Sequence, residues 1–292
     1  MAPLLLSESS TRTAMADICV LTTVRNDPLF LAKWIAHYGA AFGPKQLFVV
    51  LDGHDQQLPP EAGEINVLRL PFKPLPRVPA MRRRARVMSN IAAGLYHYFD
   101  ICIATDVDEY LVVDPITGLN LQQYLSRLPR RWPAISGLGL DVGQHLNQEG
   151  PLDPARPFLN QRSYAHVSSR YTKPVVTTRP VIWGSGMHRV KRHNYRIDPN
   201  LYLFHCGMID WGRSGEKTGD RDRLRTGWGG HLDKRARLFD IISTAMPLDG
   251  DAYLPKARFR QSWVRKLYAL NKPAMIPGHP VIRIPQRFRN AL

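Results

Sequence analysis

The chain has 292 residues, 44% hydrophobic and 22% charged, which is ordinary globular composition and enough for one large domain or one domain with an appendage. Its formal net charge of +16 argues for anionic partners: nucleotides, phospholipid headgroups or nucleic acid. Cys19, Cys102 and Cys206 each sit in or beside an apolar run, which excludes a disulfide framework and any spaced zinc pattern and predicts reduced thiols in a cytoplasmic protein.

Residues 1–16 read as a loose arm. They lack the basic start and long apolar core of a signal peptide, and no stretch of about 18 apolar residues follows that could span a membrane. Asp17–Val24 is rich in β-branched and apolar residues and predicts a strand. Asp27 and Pro28 then suit a helix N-cap and first turn. The helix that follows carries Phe30, Leu31, Trp34, Ile35 and Tyr38 on one face and ends at Gly39 or Gly43. Gln46–Leu51 and Ile65–Leu70 predict two more strands, the first running into Asp52-Gly53. A proline-rich link leads to a helix of roughly Ala80–Phe99. The pattern is that of an α/β fold with a mixed, mostly parallel sheet flanked by helices, whose ligands bind at the carboxyl ends of the strands.

Ile101–Tyr110, ICIATDVDEY, is the stretch on which the reading turns. Four apolar residues without polar alternation predict a buried strand. It runs into Asp106, Asp108 and Glu109. Carried on as a strand, it would point Asp106 and Asp108 the same way, and two adjacent carboxylates need a cation between them. Oxygen ligands suit Mg²⁺ or Mn²⁺, with open positions for phosphate oxygens. In the preceding helix Arg83, Arg86 and Asn90 share a face. Arg86 and Asn90 are the candidates for gripping a diphosphate, while Arg82 and Arg84 read as a solvated basic face.

The order of these features resembles the GT-A fold glycosyltransferases that use nucleotide sugars, in particular their family-2-like and family-92-like branches. The resemblance is carried by Val24–Tyr38 (VRNDPLFLAKWIAHY), Phe48–Gly53 (FVVLDG), the basic helix with Asn90, and Asp106–Tyr110 (DVDEY), and covers about residues 17–115. It continues more weakly through Lys173–Pro180, Gly186–Val190 and Leu203–Gly207. The resemblance implies that Thr23, Arg25 and Asn26 hold the nucleotide and that Asp52 contacts base or ribose. Arg86 and Asn90 would meet the nucleotide or diphosphate. Asp106 would contact the ribose or a metal-bound water, and Asp108 the metal. A third metal ligand is implied from a later histidine, with His205 preferred and His188 its rival. Glu109 is expected on the other side of the strand, holding the loop.

The second half is less legible. Leu119–Leu128 predicts a short helix, Ala134–Leu140 a strand ending in Asp141, and Pro174–Val181 and Tyr202–Phe204 extended segments. Lys173 and Arg179 are plausible anion contacts. An inverting transfer needs a carboxylate base, for which Asp141 is the candidate and Asp210 and Glu216 the alternatives. Residues 17–211 are therefore expected to form the transferase domain, with donor half 17–115 and acceptor half 116–211. Residues 212–292 would be a basic helical extension with helices near Asp233–Ala245 and Arg258–Leu270. Its interleaved Trp211, Trp228 and Trp263 suggest peripheral contact with an anionic membrane that carries a lipid-linked or other glycan acceptor. Two other classes share some features. A nucleic-acid-binding protein fits the charge, but no recognised nucleic-acid motif is present. A nucleotidyltransferase or phosphohydrolase would use the same paired carboxylates.

Overall fold

The computed structural model describes residues 15–194, 196–227, 229–263 and 277–292. Strand β1 (Ile18–Val24) is followed by helix α1 (Pro28–Phe42), β2 (Leu47–Asp52), β3 (Asn66–Leu70), α2 (Arg77–Leu95) and β4 (Ile101–Ala104). Next come β5 (Glu109–Val113), α3 (Leu121–Ser126), β6 (Ala134–Gly143), β7 (Tyr164–Val167), β8 (Val176–Thr177) and the long β9 (Arg196–Met208). Helices α4 (Trp211–Thr218), α5 (Arg221–Arg225) and α6 (Gly229–Thr244) lead to β10 (Leu248–Asp249), α7 (Gly250–Trp263) and β11 (Val281–Arg283).

All the described strands join one mixed sheet flanked by helices. Its path runs β10-β11-β7-β6-β8-β4-β1-β2-β3, and β9 pairs with both β5 and β6. The segment β4-β1-β2-β3 is parallel throughout, so the carboxyl ends of β1, β2 and β4 open on one edge. Every residue of β4 and β6 is buried; β4 is an unbroken apolar run, and β6 carries Ser136 and Asp141 into the interior.

Helix α1 packs against this sheet through Phe30, Leu31, Trp34, Ile35 and Tyr38, the predicted face. Gly43 ends it at φ 87°, a conformation that favours glycine. Asp27 occupies the N-cap position but makes no capping bond through its side chain; Pro28 supplies the helical first turn. Helix α2 starts three residues before the expected Ala80. Pro79 falls in its first turn, where a missing N–H costs no intrahelical bond.

The C-terminal segment is more than a helical appendage, because β11 pairs antiparallel with β7 and β10 pairs parallel with β11. Helix α7 covers the first part of the expected Arg258–Leu270 helix, whose remainder lies outside the described residues, as do Trp228 and most of the expected N-terminal arm. No described helix is long and apolar enough to cross a membrane.

Candidate functional site

The acidic stretch does not continue as a strand. Strand β4 stops at Ala104, and residues 105–108 turn so that Glu109 opens β5. Inside the turn the Glu109 N–H donates to the Asp106 carbonyl at 3.0 Å. The Asp106 N–H donates to Glu109 Oε2 at 3.2 Å. Helix α1 fixes the turn from behind. The Trp34 indole donates to Thr105 Oγ1 at 2.9 Å, and the Tyr38 hydroxyl donates to the Glu109 carbonyl at 3.2 Å. Tyr38 also accepts from the Leu111 N–H at 2.8 Å. The apolar face of the opening helix therefore delivers two polar atoms to the two ends of the acidic turn.

Asp106 and Asp108 consequently have different surroundings. Asp106 pairs with Lys173 Nζ at 2.7 Å and with the Arg84 guanidinium at 2.9 Å. Lys173, only 2% exposed, also meets Glu109 Oε1 at 2.5 Å. Burial opposes charge on Asp106, but Arg84 and Lys173 outweigh it and hold the carboxyl well below the usual carboxylate range. Burial pushes Glu109 up, against the pull of Lys173. Burial alone would lower Lys173, but its two carboxylates keep it charged. One buried ammonium between two carboxylates thus closes the base of the site.

Asp108 faces β9. Its Oδ2 lies 3.7 Å from His205 Nε2, and the other imidazole nitrogen, Nδ1, bonds Asp141 Oδ1 at 2.7 Å. In the sheet, β9 runs between β5 and β6, with His205 in register with Glu109 on one side and Asp141 on the other. Asp141 is 1% exposed, and Arg235 from α6 grips both its oxygens at 2.9 and 3.0 Å. Burial raises the Asp141 carboxyl, but Arg235 and His205 more than reverse this and leave it well below its ordinary value. The ring of Tyr171 stacks on His205 at 3.7 Å with 16° between planes, and the Arg235 guanidinium lies 5.0 Å from the same tyrosine ring.

These groups line one cleft of about 1000 Å³. Thr23, Arg25, Asn26, Asp52, Asp106, Asp108, Asp141, His188 and His205 all line it; Arg86 and Asn90 are exposed and do not. Arg83 and Arg84 line it instead, because α2 turns Met81, Arg84 and Met88 toward the cleft and buries Ala85 and Ala92. Asp52 is raised by burial, against the cations of Arg83, Arg25 and Arg84. His188 is pushed down to about 3 by burial and by nearby Lys173, and its Nδ1 bonds the Arg170 carbonyl at 2.8 Å.

Arg25 and Asn26 are already engaged. Arg25 bonds Asp222 Oδ2 at 2.6 Å and Asp55 at 3.0 Å, and its guanidinium stacks 3.7 Å over Phe72. Asn26 donates to Asp220 at 3.0 Å. The α5 segment is thereby tied across the end of β1.

Neither the expected base nor its alternatives stand as free carboxylates in the cleft. Both oxygens of Asp141 are taken. Asp210 caps α4 and pairs with buried Arg162 at 3.0 Å, while Glu216 is exposed and outside the cleft. Arg179 is also outside it and donates to the Arg130 carbonyl. Sequence reasoning missed Arg235 altogether and set Arg84 aside.

Among the described residues, no group of three or more His, Cys, Asp or Glu side chains is arranged to hold a metal ion. The expected set of Asp106, Asp108 and His205 is therefore not assembled as three ligands, since Asp106 is committed to Arg84 and Lys173. Asp108 and His205 nevertheless leave a cradle between them at Gly207. A Cβ there would lie 2.5 Å from Asp108 Oδ2 and 2.8 Å from the His205 ring. A carboxylate and an imidazole whose far nitrogen meets a second carboxylate fit Mn²⁺ or Mg²⁺ with two protein ligands, leaving other positions to phosphate and water oxygens.

No protein-family model and no curated protein matches the chain. Among solved structures it is similar to a CMP:2-keto-3-deoxy-manno-octonic acid synthetase complexed with CTP, with TM-score 0.28 and 10% identity over 76% of this chain and 87% of that one. It is also similar to a mannose-1-phosphate geranyltransferase from Thermus thermophilus, with TM-score 0.29 and 12% identity over 81% of this chain and 70% of that one. Both likenesses are distant.

Proposed function

We propose that the chain is a glycosyltransferase of GT-A type that binds a nucleotide-sugar donor in this cleft and passes the sugar to a glycan or lipid-linked acceptor. One observation carries the reading. At the carboxyl ends of the parallel strands, the Asp108–His205–Asp141 row stands beside two cations, Arg84 and Lys173, that face the same cleft. Cleavage of a sugar–phosphate bond leaves charge on a nucleoside diphosphate, and preorganised cations stabilise it as it develops. In this reading Asp106 orients Arg84 and Lys173 and does not ligate. Asp141 holds His205 in the tautomer that presents Nε2 toward Asp108. Asp108 and His205 would hold Mn²⁺ or Mg²⁺, which supplies further charge neutralisation to the departing diphosphate. Thr23 and Asp52 line the part of the cleft suited to the nucleoside. The exposed rings of Phe259 and Trp263 on α7, with Arg260 between them in sequence, support peripheral contact with an anionic membrane; liposome flotation with no preference for anionic lipid would remove that part.

Calorimetric titration of UDP and GDP, with and without Mn²⁺, tests the donor site in wild type and in Asp108→Ala. The expected result is Mn²⁺-dependent binding of one nucleotide that disappears in the variant. Binding of neither nucleotide would overturn the reading. Incubation with nucleotide sugars, and separately with nucleoside triphosphates plus sugar phosphates, tests the reaction class. Release of pyrophosphate from the second mixture would replace glycosyl transfer by nucleotidyl transfer.

A further inference from the structure

The cleft is electrostatically divided. Its carboxylates, Asp27, Asp52, Asp106, Asp108, Asp141, Asp220 and Asp222, lie at the ends of β1, β2 and β4, on α5, or in the central row with His205. Beyond that row the cleft is lined by His166 of β7, by Lys234, Arg235 and Arg237 of α6, and by His279. Of the carboxylates that line the cleft, Asp141 is the one that meets α6, and Arg235 neutralises it through two bonds. Lys234 and Arg237 make no side-chain ion pair among the described residues. His166 and His279 bring a second pair of rings to the same place, with centroids 5.3 Å apart.

We infer that this end of the cleft binds the acceptor and that the acceptor is an acidic saccharide, carrying a carboxylate or phosphate group. The inference rests on the proposed transferase reading and adds the acceptor's chemical class. The cations at the base of the cleft already meet the charge of a nucleoside diphosphate, since Arg84 and Lys173 stand on the other side of His205. Lys234 and Arg237, three positions apart on one helix and without carboxylate partners among the described residues, repel one another and are stabilised by an oxyanion beside them. A neutral saccharide would leave that charge unanswered. The apolar Leu238 and Ile241 of the same helix line the wall and can cover a sugar ring.

The test is calorimetric binding to the full chain of three probes: an oligosaccharide of uronic acids, a hexose phosphate and a neutral trisaccharide. Each is titrated with and without saturating nucleoside diphosphate and Mn²⁺. At least one acidic probe is expected to bind without displacing the nucleotide, and whichever binds identifies carboxylate or phosphate as the recognised group. The double variant Lys234→Glu/Arg237→Glu changes two exposed side chains. It is expected to weaken the acidic probe about tenfold or more and to leave nucleotide affinity within about twofold of wild type. Preference for the neutral trisaccharide, acidic binding that survives the charge reversal, or displacement of nucleotide by the acidic probe would each overturn the inference. Charge-dependent binding of an acidic probe in a chain that binds neither nucleotide would support the anionic subsite and overturn the donor reading alone.

Discussion

At the scale of single residues, the site is decided by helical phase and by long-range pairing. Arg84 and Arg86 are two positions apart on α2, yet Arg84 meets Asp106 at 2.9 Å and Arg86 is exposed outside the cleft. Arg84→Ala is therefore expected to weaken nucleotide binding about tenfold or more, the scale of a lost charge-assisted hydrogen bond. Arg86→Ala should stay within about twofold of wild type, as exposed charges usually do. Calorimetry on the two variants checks both, and equal losses would return the diphosphate contact to the Arg86 face. The right phase was available in the sequence. Met81, Ala85, Met88 and Ala92 mark the inward face of the helix, and Arg84 flanks that face where Arg86 does not. The spacing of Arg83, Arg86 and Asn90 drew attention to a face the sheet does not meet. Arg235 could not be found this way, because its partner Asp141, though marked by its place at a predicted strand end, is 94 positions distant and nothing local marks Arg235 itself. The same pairing yields a second expectation. Asn at position 141 keeps the size but loses the charge that orients His205 and anchors Arg235. Asp141→Asn should lower Mn²⁺ affinity about 10–100-fold, as loss of a carboxylate behind a ligating histidine does. A Mn²⁺ titration followed by electron paramagnetic resonance reads this directly, and an unchanged affinity would separate His205 from metal binding.

At the scale of elements, the strands and helices up to Val24–Tyr38 and Ile101–Ala104 were legible because each carries its own apolar period. The acidic turn was less so. Alternation along a continuing strand would place Asp106 and Asp108 on one face, whereas the break at Ala104 gives Asp106 to Lys173 and Arg84, and Asp108 to His205. Lys173 reaches its position through the loop of residues 168–173, which is pressed onto β6 at Gly139. The Thr172 hydroxyl accepts from the Gly139 N–H at 3.0 Å and donates to Gln261 of α7 at 2.5 Å. A Cβ on Gly139 would run into the backbone of Tyr171 and Thr172, so this strand tolerates only glycine there. Gly139→Ala should destabilise the fold by about 1–3 kcal/mol or more, since backbone cannot step aside as a side chain can. It should also weaken nucleotide binding, because the displaced loop carries both Tyr171 and Lys173. Urea unfolding and calorimetry test the two parts. A variant as stable as wild type would mean that the loop moves freely from β6.

At the scale of the whole molecule, charge and core give different boundaries. The basic run after residue 211 marks a change of surface, and a surface change reads as an appended segment. Core residues follow another line. Leu238, Phe239, Ile242, Leu254, Ile282, Ile284 and Phe288 are all buried, and β11 completes the sheet beside β7. Arg235 and Arg287 reach back to neutralise Asp141 and Asp114, both nearly inaccessible. At about 1.5–3 kcal/mol for each large apolar side chain, those seven represent on the order of 10–20 kcal/mol. That matches or exceeds the net stability of about 5–15 kcal/mol typical of a folded protein. Removing them would also leave two buried carboxylates without their arginines, a further cost. A chain ending at residue 211 is therefore expected to lack near-ultraviolet circular dichroism and a cooperative urea transition, and to bind no nucleotide even though its donor-side residues Thr23, Asp52, Arg84, Asp106 and Asp108 are intact. A cooperative transition with a midpoint close to that of the full chain would instead make residues 212–292 separable. The Asp141–His205 pair would then have to keep its geometry without Arg235, which a Mn²⁺ titration of the shortened chain would measure.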